Sequence, residues 1–185
     1  APDGHTMIDC DSSQIEARVL AWLAGQDDLT TAFANGDDVY KHMANSIYNV
    51  PPEDVTPSQR FVGKTTILGA GYGMGAVKFQ TQQIYRRTNG AITQLWTDAN
   101  NMIAYMARGD TVEFGKDGVL AVDASKNAVI LPSGLPMFYH ALGKYATEDG
   151  QEYMYKTRKG MVRIYGGKVV ENVCQAIARC IIGHQ

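Results

Sequence analysis

Cysteine is scarce in this sequence. Only Cys10, Cys174 and Cys180 occur in 185 residues, an odd number without metal-ligand spacing, so reduced thiols in a cytosolic chain are the expectation. Long apolar runs are missing too. None approaches the roughly 18 residues a membrane helix needs, so no membrane partner is expected, and Ala1-Pro2-Asp3-Gly4 does not read as a secretory leader. Neither sign of charge prevails: 17 Lys and Arg against 19 Asp and Glu leave −2. That excludes a uniformly basic chain holding polyanions by charge alone, while local basic faces stay open. His5, His42, His140 and His184 share no zinc spacing, and neither a repeat nor a low-complexity linker occurs. What is present is 45% apolar and 19% charged residues, enough for one folded core.

The pattern along the chain predicts an α+β fold. Thr6 to Cys10 reads as a short strand ending at Asp9 and Asp11. Ser13-Gln14-Ile15-Glu16 fits a capping box, and Ile15, Val19, Trp22 and Leu23 recur at helical spacing until Gly25. Helices follow at about 27–35 and 37–48, stopped by Gly36 and by Pro51-Pro52. Thr56-Pro57-Ser58-Gln59 is a second capping signature, and the helix after it should loosen through Gly69, Gly71, Gly73 and Gly75. Helices at 76–87 and 91–108 come next. Short strands at 111–114, 118–122, 128–131, 135–140, 151–157 and 161–165 then predict a small antiparallel sheet. An apolar helix at 168–182 closes the chain.

Two motif look-alikes fail on context. Gly63-Lys64-Thr65 resembles the end of a phosphate-binding loop, but Ser58 stands where its first glycine belongs, and the residues lie within a predicted helix. Gly69-Ala70-Gly71 would open a dinucleotide fingerprint, but its third glycine position falls on Met74 and no strand precedes it.

Two segments carry chemistry. In Asp9-Cys10-Asp11-Ser12-Ser13-Gln14-Ile15-Glu16-Ala17-Arg18, a carboxylate just ahead of a helix suits a Mg²⁺ that also binds phosphate. A plain helix start would use the same residues. In the second segment Arg60, Lys64, Leu68 and Tyr72 are spaced by four and form one stripe: two cations, an apolar patch, then a ring. Such a stripe fits a ligand with a polyphosphate at one end and a flat base at the other. An ordinary amphipathic helix would show the same stripe, but has no use for the four alternating glycines.

Together, in this order, the two segments resemble motifs A and B of the family A DNA polymerases. Asp11-x-Ser13-Gln14-Ile15-Glu16-x-Arg18 matches the first and Arg60-x-x-x-Lys64 through Tyr72-Gly73 the second. Gln14 to Ala21 and Tyr165 to Asn172 look phage-like. The resemblance implies helical fingers with part of an antiparallel palm, divided as palm segment 1–25, fingers 26–110, and sheet with returning helix 111–185. It implies dNMP transfer from a dNTP to a primer 3′-OH on a DNA primer-template with two Mg²⁺ ions. Asp11 and the Ser12 carbonyl would be metal ligands. Arg60 and Lys64 would hold the β- and γ-phosphates, Lys64 also protonating pyrophosphate, with Tyr40 where bacterial members carry a phosphate-contacting His. Glu16 would gate against ribonucleotides, Tyr72 would stack near the templating base, Gln14 would sit near the nascent pair, and Leu68 would hold a dNTP-side position that influences sugar discrimination and fidelity. Arg18, Gln175 and Glu171 would lie on the DNA side. Leu68 and Glu171 depart from the commoner Phe or Tyr and Asn. The second metal carboxylate, on a His-Asp-Glu hairpin expected after the last helix, does not occur in the sequence, which implies a fragment that needs the remaining polymerase and is inactive alone. A non-catalytic nucleotide- or nucleic-acid-binding module is the alternative, and Glu16 as a gate argues against an RNA polymerase relative.

Overall fold

The computed structural model describes residues 2–8, 11–70, 79–148 and 150–184. Four helices come first: α1 (Ile15–Ala24), α2 (Asp27–Asn35), α3 (Val39–Tyr48) and α4 (Pro57–Ala70). After α5 (Phe79–Thr88) and the long α6 (Gly90–Arg108) the chain turns to strands. β1 (Glu113–Phe114), β2 (Leu120–Asp123), β3 (Ala128–Ile130) and β4 (Pro136–Phe138) form one antiparallel sheet in chain order. β5 (Gly143–Thr147), β6 (Gly150–Thr157) and β7 (Gly160–Arg163) form a second, and α7 (Gly166–His184) follows. The fold is α+β, as the sequence predicts.

One apolar cluster joins all of it. Leu20 and Leu23 of α1, Met43 of α3, Ile67 of α4, Met102 and Ile103 of α6, Leu120 and Val129 of the first sheet and Val173 of α7 belong to it. The long helices supply it because their apolar residues recur at helical spacing. On α6, Ile92, Leu95, Trp96, Ala99, Met102, Ile103 and Met106 are the buried set. No helix among the described residues is long and apolar enough to cross a membrane.

Three sequence expectations are corrected. Thr6–Ile8, the described part of the predicted first strand, is irregular; Met7 and Ile8 are 78% and 83% exposed, and no described strand lies beside them to complete a ladder. The capping box at Ser13 does not form as predicted: Gln14 is the N-cap, left-handed at φ 59°, with no side-chain cap bond, and Ile15 N–H instead donates to Ser12 O at 3.2 Å. The single sheet is two. The strand missed by sequence reading is β5, Gly-Lys-Tyr-Ala-Thr, which is half-buried or exposed along its whole length and so carries no apolar alternation.

The capping box at Thr56 does form. Gln59 Oε1 accepts from Thr56 N–H at 2.9 Å, and Gln59 N–H donates to Thr56 Oγ1 at 3.3 Å. Gly63 is explained by packing. A Cβ there would collide with the Tyr40 carbonyl oxygen and lie 3.1 Å from Ala44 N, so α4 can lie this close to α3 only with glycine at the crossing. Gly166 plays the same part where α7 meets α6: a Cβ would strike Trp96 O, and Gly166 N–H donates to Asn100 Oδ1 at 2.6 Å.

Candidate functional site on α4

The outward face of α4 follows from its burial pattern. Gly63, Thr66 and Ile67 are buried, which turns Lys64, Thr65 and Leu68 to the surface, Leu68 with 39% of its area exposed. Arg60 is half-buried at the same edge. Three of the four residues of the predicted stripe therefore share one face; the fourth, Tyr72, lies outside the described residues, as do Asp9 and Gly71, Gly73 and Gly75. Lys64 makes no ion pair among the described residues.

Arg60 does. Its Nε donates to Asp38 Oδ2 at 2.6 Å, and its guanidinium lies 5.2 Å from the centre of the Tyr40 ring. Asp38 works in two directions. It is the N-cap of α3, its Oδ1 accepting from the Tyr40 and Lys41 N–H groups at 3.1 and 3.2 Å, while Oδ2 holds Arg60. Burial pulls the Asp38 carboxyl upward, but the Arg60 hydrogen bond, the backbone N–H donors and the Arg60 charge outweigh it, leaving it below the ordinary carboxylate value. Tyr40 is buried, and burial raises its phenol above the usual value against the opposing charge of Arg60. Holding Arg60 by Nε leaves its two terminal nitrogens for a further acceptor.

Asp38 was not among the residues singled out from sequence. Its capping role was legible, since an Asp immediately ahead of an apolar-periodic run is a helix-start signal. Its partnership with Arg60, 22 residues away, needs the α3–α4 crossing.

The motif A residues lie just ahead of α1 and in its first turn, and α1 packs against α7. Glu16 and Gln175 line one open groove of about 690 Å³ between these helices, together with Ile15, Ala178 and Arg179. Glu16 also lies close enough to Cys174 that its charge adds to burial in raising the thiol. Asp11 is exposed and Ser12 half-buried. Arg18 is spent on structure: it donates to Ser13 O at 3.1 Å and Phe33 O at 3.3 Å, with its guanidinium 4.7 Å from the centre of the Phe33 ring. Glu171 is tied to Lys168 at 2.9 Å within α7. Among the described residues no group of three or more His, Cys, Asp or Glu could hold a metal, so Asp11 and Ser12 by themselves do not fit a pair of Mg²⁺ ions.

The sequence comparisons agree on DNA polymerases. A DNA polymerase of Bacillus phage SP02 is 29% identical over 96% of this chain and 31% of its own length. DNA polymerase I of Pseudomonas aeruginosa is 36% identical over 58% of the chain and 12% of its own, and the thermostable DNA polymerase I of Thermus thermophilus 42% over 41% and 9%. The chain thus spans less than a third of the length of each of these relatives. Among solved structures, the POL domain of Pol1 from M. smegmatis, in complex with DNA primer-template and dNTP, covers 91% of the chain and 25% of its own at 22% identity and a TM-score of 0.49. The match that settles the family is to the sequence profile of DNA polymerase family A, over residues 1–110, the stretch that holds both the groove-lining Glu16 and the α4 face. This chain belongs to DNA polymerase family A.

Proposed function

We propose that the chain supplies the fingers and an adjoining palm segment of a template-directed DNA polymerase, and that α4 holds the triphosphate of an incoming dNTP. The observation that carries this reading is the contrast between the two cations on one helix face, one anchored and one unpaired among the described residues. Lys64 is exposed without an ion-pair partner among the described residues, while Arg60 is held through Nε on Asp38 and over Tyr40 with its terminal nitrogens spare. A fork and a point charge one turn apart complement adjacent β- and γ-phosphates. Leu68 extends the face toward the base, where Tyr72 would follow in sequence.

Glu16 and Gln175 support the sugar and primer side of the reading, since both face the α1–α7 groove. Glu16 would crowd a ribose 2′-hydroxyl, Gln14 would border the new pair, and Arg18 and Glu171 would reach DNA only by leaving their present partners. In the whole polymerase Asp11 and Ser12 would contribute to a Mg²⁺ site completed by other ligands, and the metals would stabilise the charge of phosphoryl transfer. Asp11 is the one carboxylate of the predicted metal set, and the chain by itself is proposed to bind nucleotide without extending a primer. The phage polymerase match over 96% of the chain supports a phage-type parent.

The test is calorimetric titration of the chain with dATP and with ATP in Mg²⁺ buffer, repeated for Lys64→Ala and Glu16→Ala. Binding of dATP that Lys64→Ala abolishes, with ATP excluded until Glu16 is truncated, is the expected result. Equal dATP binding by Lys64→Ala would overturn the reading.

A further inference from the structure

A second surface, remote in sequence from α4, combines open aromatic rings with unneutralised cations. β4 is the edge strand of the first sheet. Tyr139, just after it, is buried and meets Tyr155 edge-on at 5.1 Å, so strand alternation turns Phe138 and His140 outward together. Their rings are parallel within 9° at 5.4 Å, and Phe138 remains 44% exposed.

The second sheet brings charge to this stack. Lys156 N–H donates to His140 O at 2.7 Å, which sets β6 beside the rings. Arg158 and Lys159 follow at once in the β6–β7 turn, closed by Thr157 Oγ1–H donating to Gly160 O at 2.9 Å and by Lys159 N–H donating to Thr157 Oγ1 at 3.2 Å. Lys156, Arg158 and Lys159 are all exposed, and none makes an ion pair among the described residues. Neighbouring cations are already satisfied: Lys126 by Asp123 at 2.8 Å and Arg163 by Glu152 at 2.5 Å. In a chain of net charge −2, three adjacent unpaired cations beside a flat aromatic pair are a local exception.

We propose that this surface binds single-stranded DNA, with bases stacking on Phe138 and His140 and phosphates following Lys156, Arg158 and Lys159. The complementarity selects a single strand over a duplex. Exposed base faces can continue the aromatic stack, whereas a duplex hides them and can use only the cations. The surface shares no residue with the α4 site, and the proposal does not depend on that reading.

Fluorescence anisotropy of labelled oligo(dT), titrated with the whole chain over a series of salt concentrations, tests it against a dT·dA duplex of equal length. The single strand binds more tightly than the duplex. Phe138→Ala, and Phe138→Leu, which keeps apolar bulk but loses the flat face, each weaken oligo(dT) binding about tenfold. Lys156→Gln/Arg158→Gln/Lys159→Gln flattens the slope of log K against log salt by about 2. Arg108→Gln/Lys116→Gln, which removes charge elsewhere, leaves both unchanged. Circular dichroism confirms that each variant is folded. Absent binding, a duplex preferred or bound equally, full affinity in Phe138→Leu, or an unaltered salt slope in the triple variant overturns the proposal.

Discussion

Replacing Asp38 separates two jobs that one carboxylate performs. Asp38→Asn keeps an oxygen able to cap α3 but removes the charge that holds Arg60; Asp38→Ala removes both. Asn and Asp are equivalent caps, so Asn exposes the ion pair alone. The contact is short at 2.6 Å, yet the two side chains are 40% and 32% exposed, so solvent screening reduces it to about 0.5 kcal/mol. Losing the cap adds about 1 kcal/mol. At about 2–4 °C per kcal/mol for a chain of this size, the melting temperature falls by about 1–2 °C in Asp38→Asn and about 3–6 °C in Asp38→Ala. The sign with pH follows from the lowered carboxyl. Its folded-state value lies below the unfolded one, so the contribution is complete above about pH 4 and disappears as pH falls through the folded value. Thermal melts of the three proteins, at neutral pH, at low pH and in high salt, measure this directly. The gap between wild type and Asp38→Asn closes in acid and shrinks in salt, while the gap between Asn and Ala stays at high salt. An Asp38→Asn protein as unstable as Asp38→Ala would refute the division of labour.

Three shorter predictions follow from packing and burial. Gly63→Ala gains about 1 kcal/mol of helix propensity but places a methyl group against the backbone of α3, which cannot rotate away. Overpacking of about 1–3 kcal/mol prevails, and the urea midpoint drops; a raised midpoint would show that the helices separate at no cost. Cys174 is fully buried and its thiol is raised above its ordinary value, so iodoacetamide at pH 8 labels Cys180 and spares Cys174 in peptide maps until denaturant is added. Arg18→Ala loses two carbonyl contacts and the Phe33 face and lowers the melting temperature by about 2–4 °C, a stability loss that a purely DNA-facing arginine would not give.

Local signals made much of this molecule legible in sequence. The Thr56–Gln59 box, the glycine stops after α1 and α2, and the apolar spacing of α6 each act over a few residues, and each is where it was expected. The α4 stripe was readable for the same reason, because a spacing of four places Arg60, Lys64 and Leu68 on one face. What was not readable depends on distant neighbours. Ser13 and Glu16 satisfy a capping pattern, yet the backbone turns left-handed at Gln14 instead. β5 is a strand because β6 pairs with it along five residues, and nothing in its own composition says so. Gly63 looked like part of a phosphate loop, and its meaning is steric, fixed by the backbone of Tyr40 and Ala44 on α3.

That glycine contact also has a mechanical consequence. α4 packs chiefly on α3, with α5 as its other main neighbour, and the α3–α4 seam is locked at both edges, by the Gly63 crossing and by the Asp38–Arg60 bond. The two helices are therefore bolted into a cassette. Tyr40, Arg60 and Lys64 ride on it with their mutual spacing preserved, so tilting the cassette carries the proposed phosphate-binding set as one rigid jaw. Bulk added anywhere along the seam would misalign all three together, and stability and ligand grip there would fail in step.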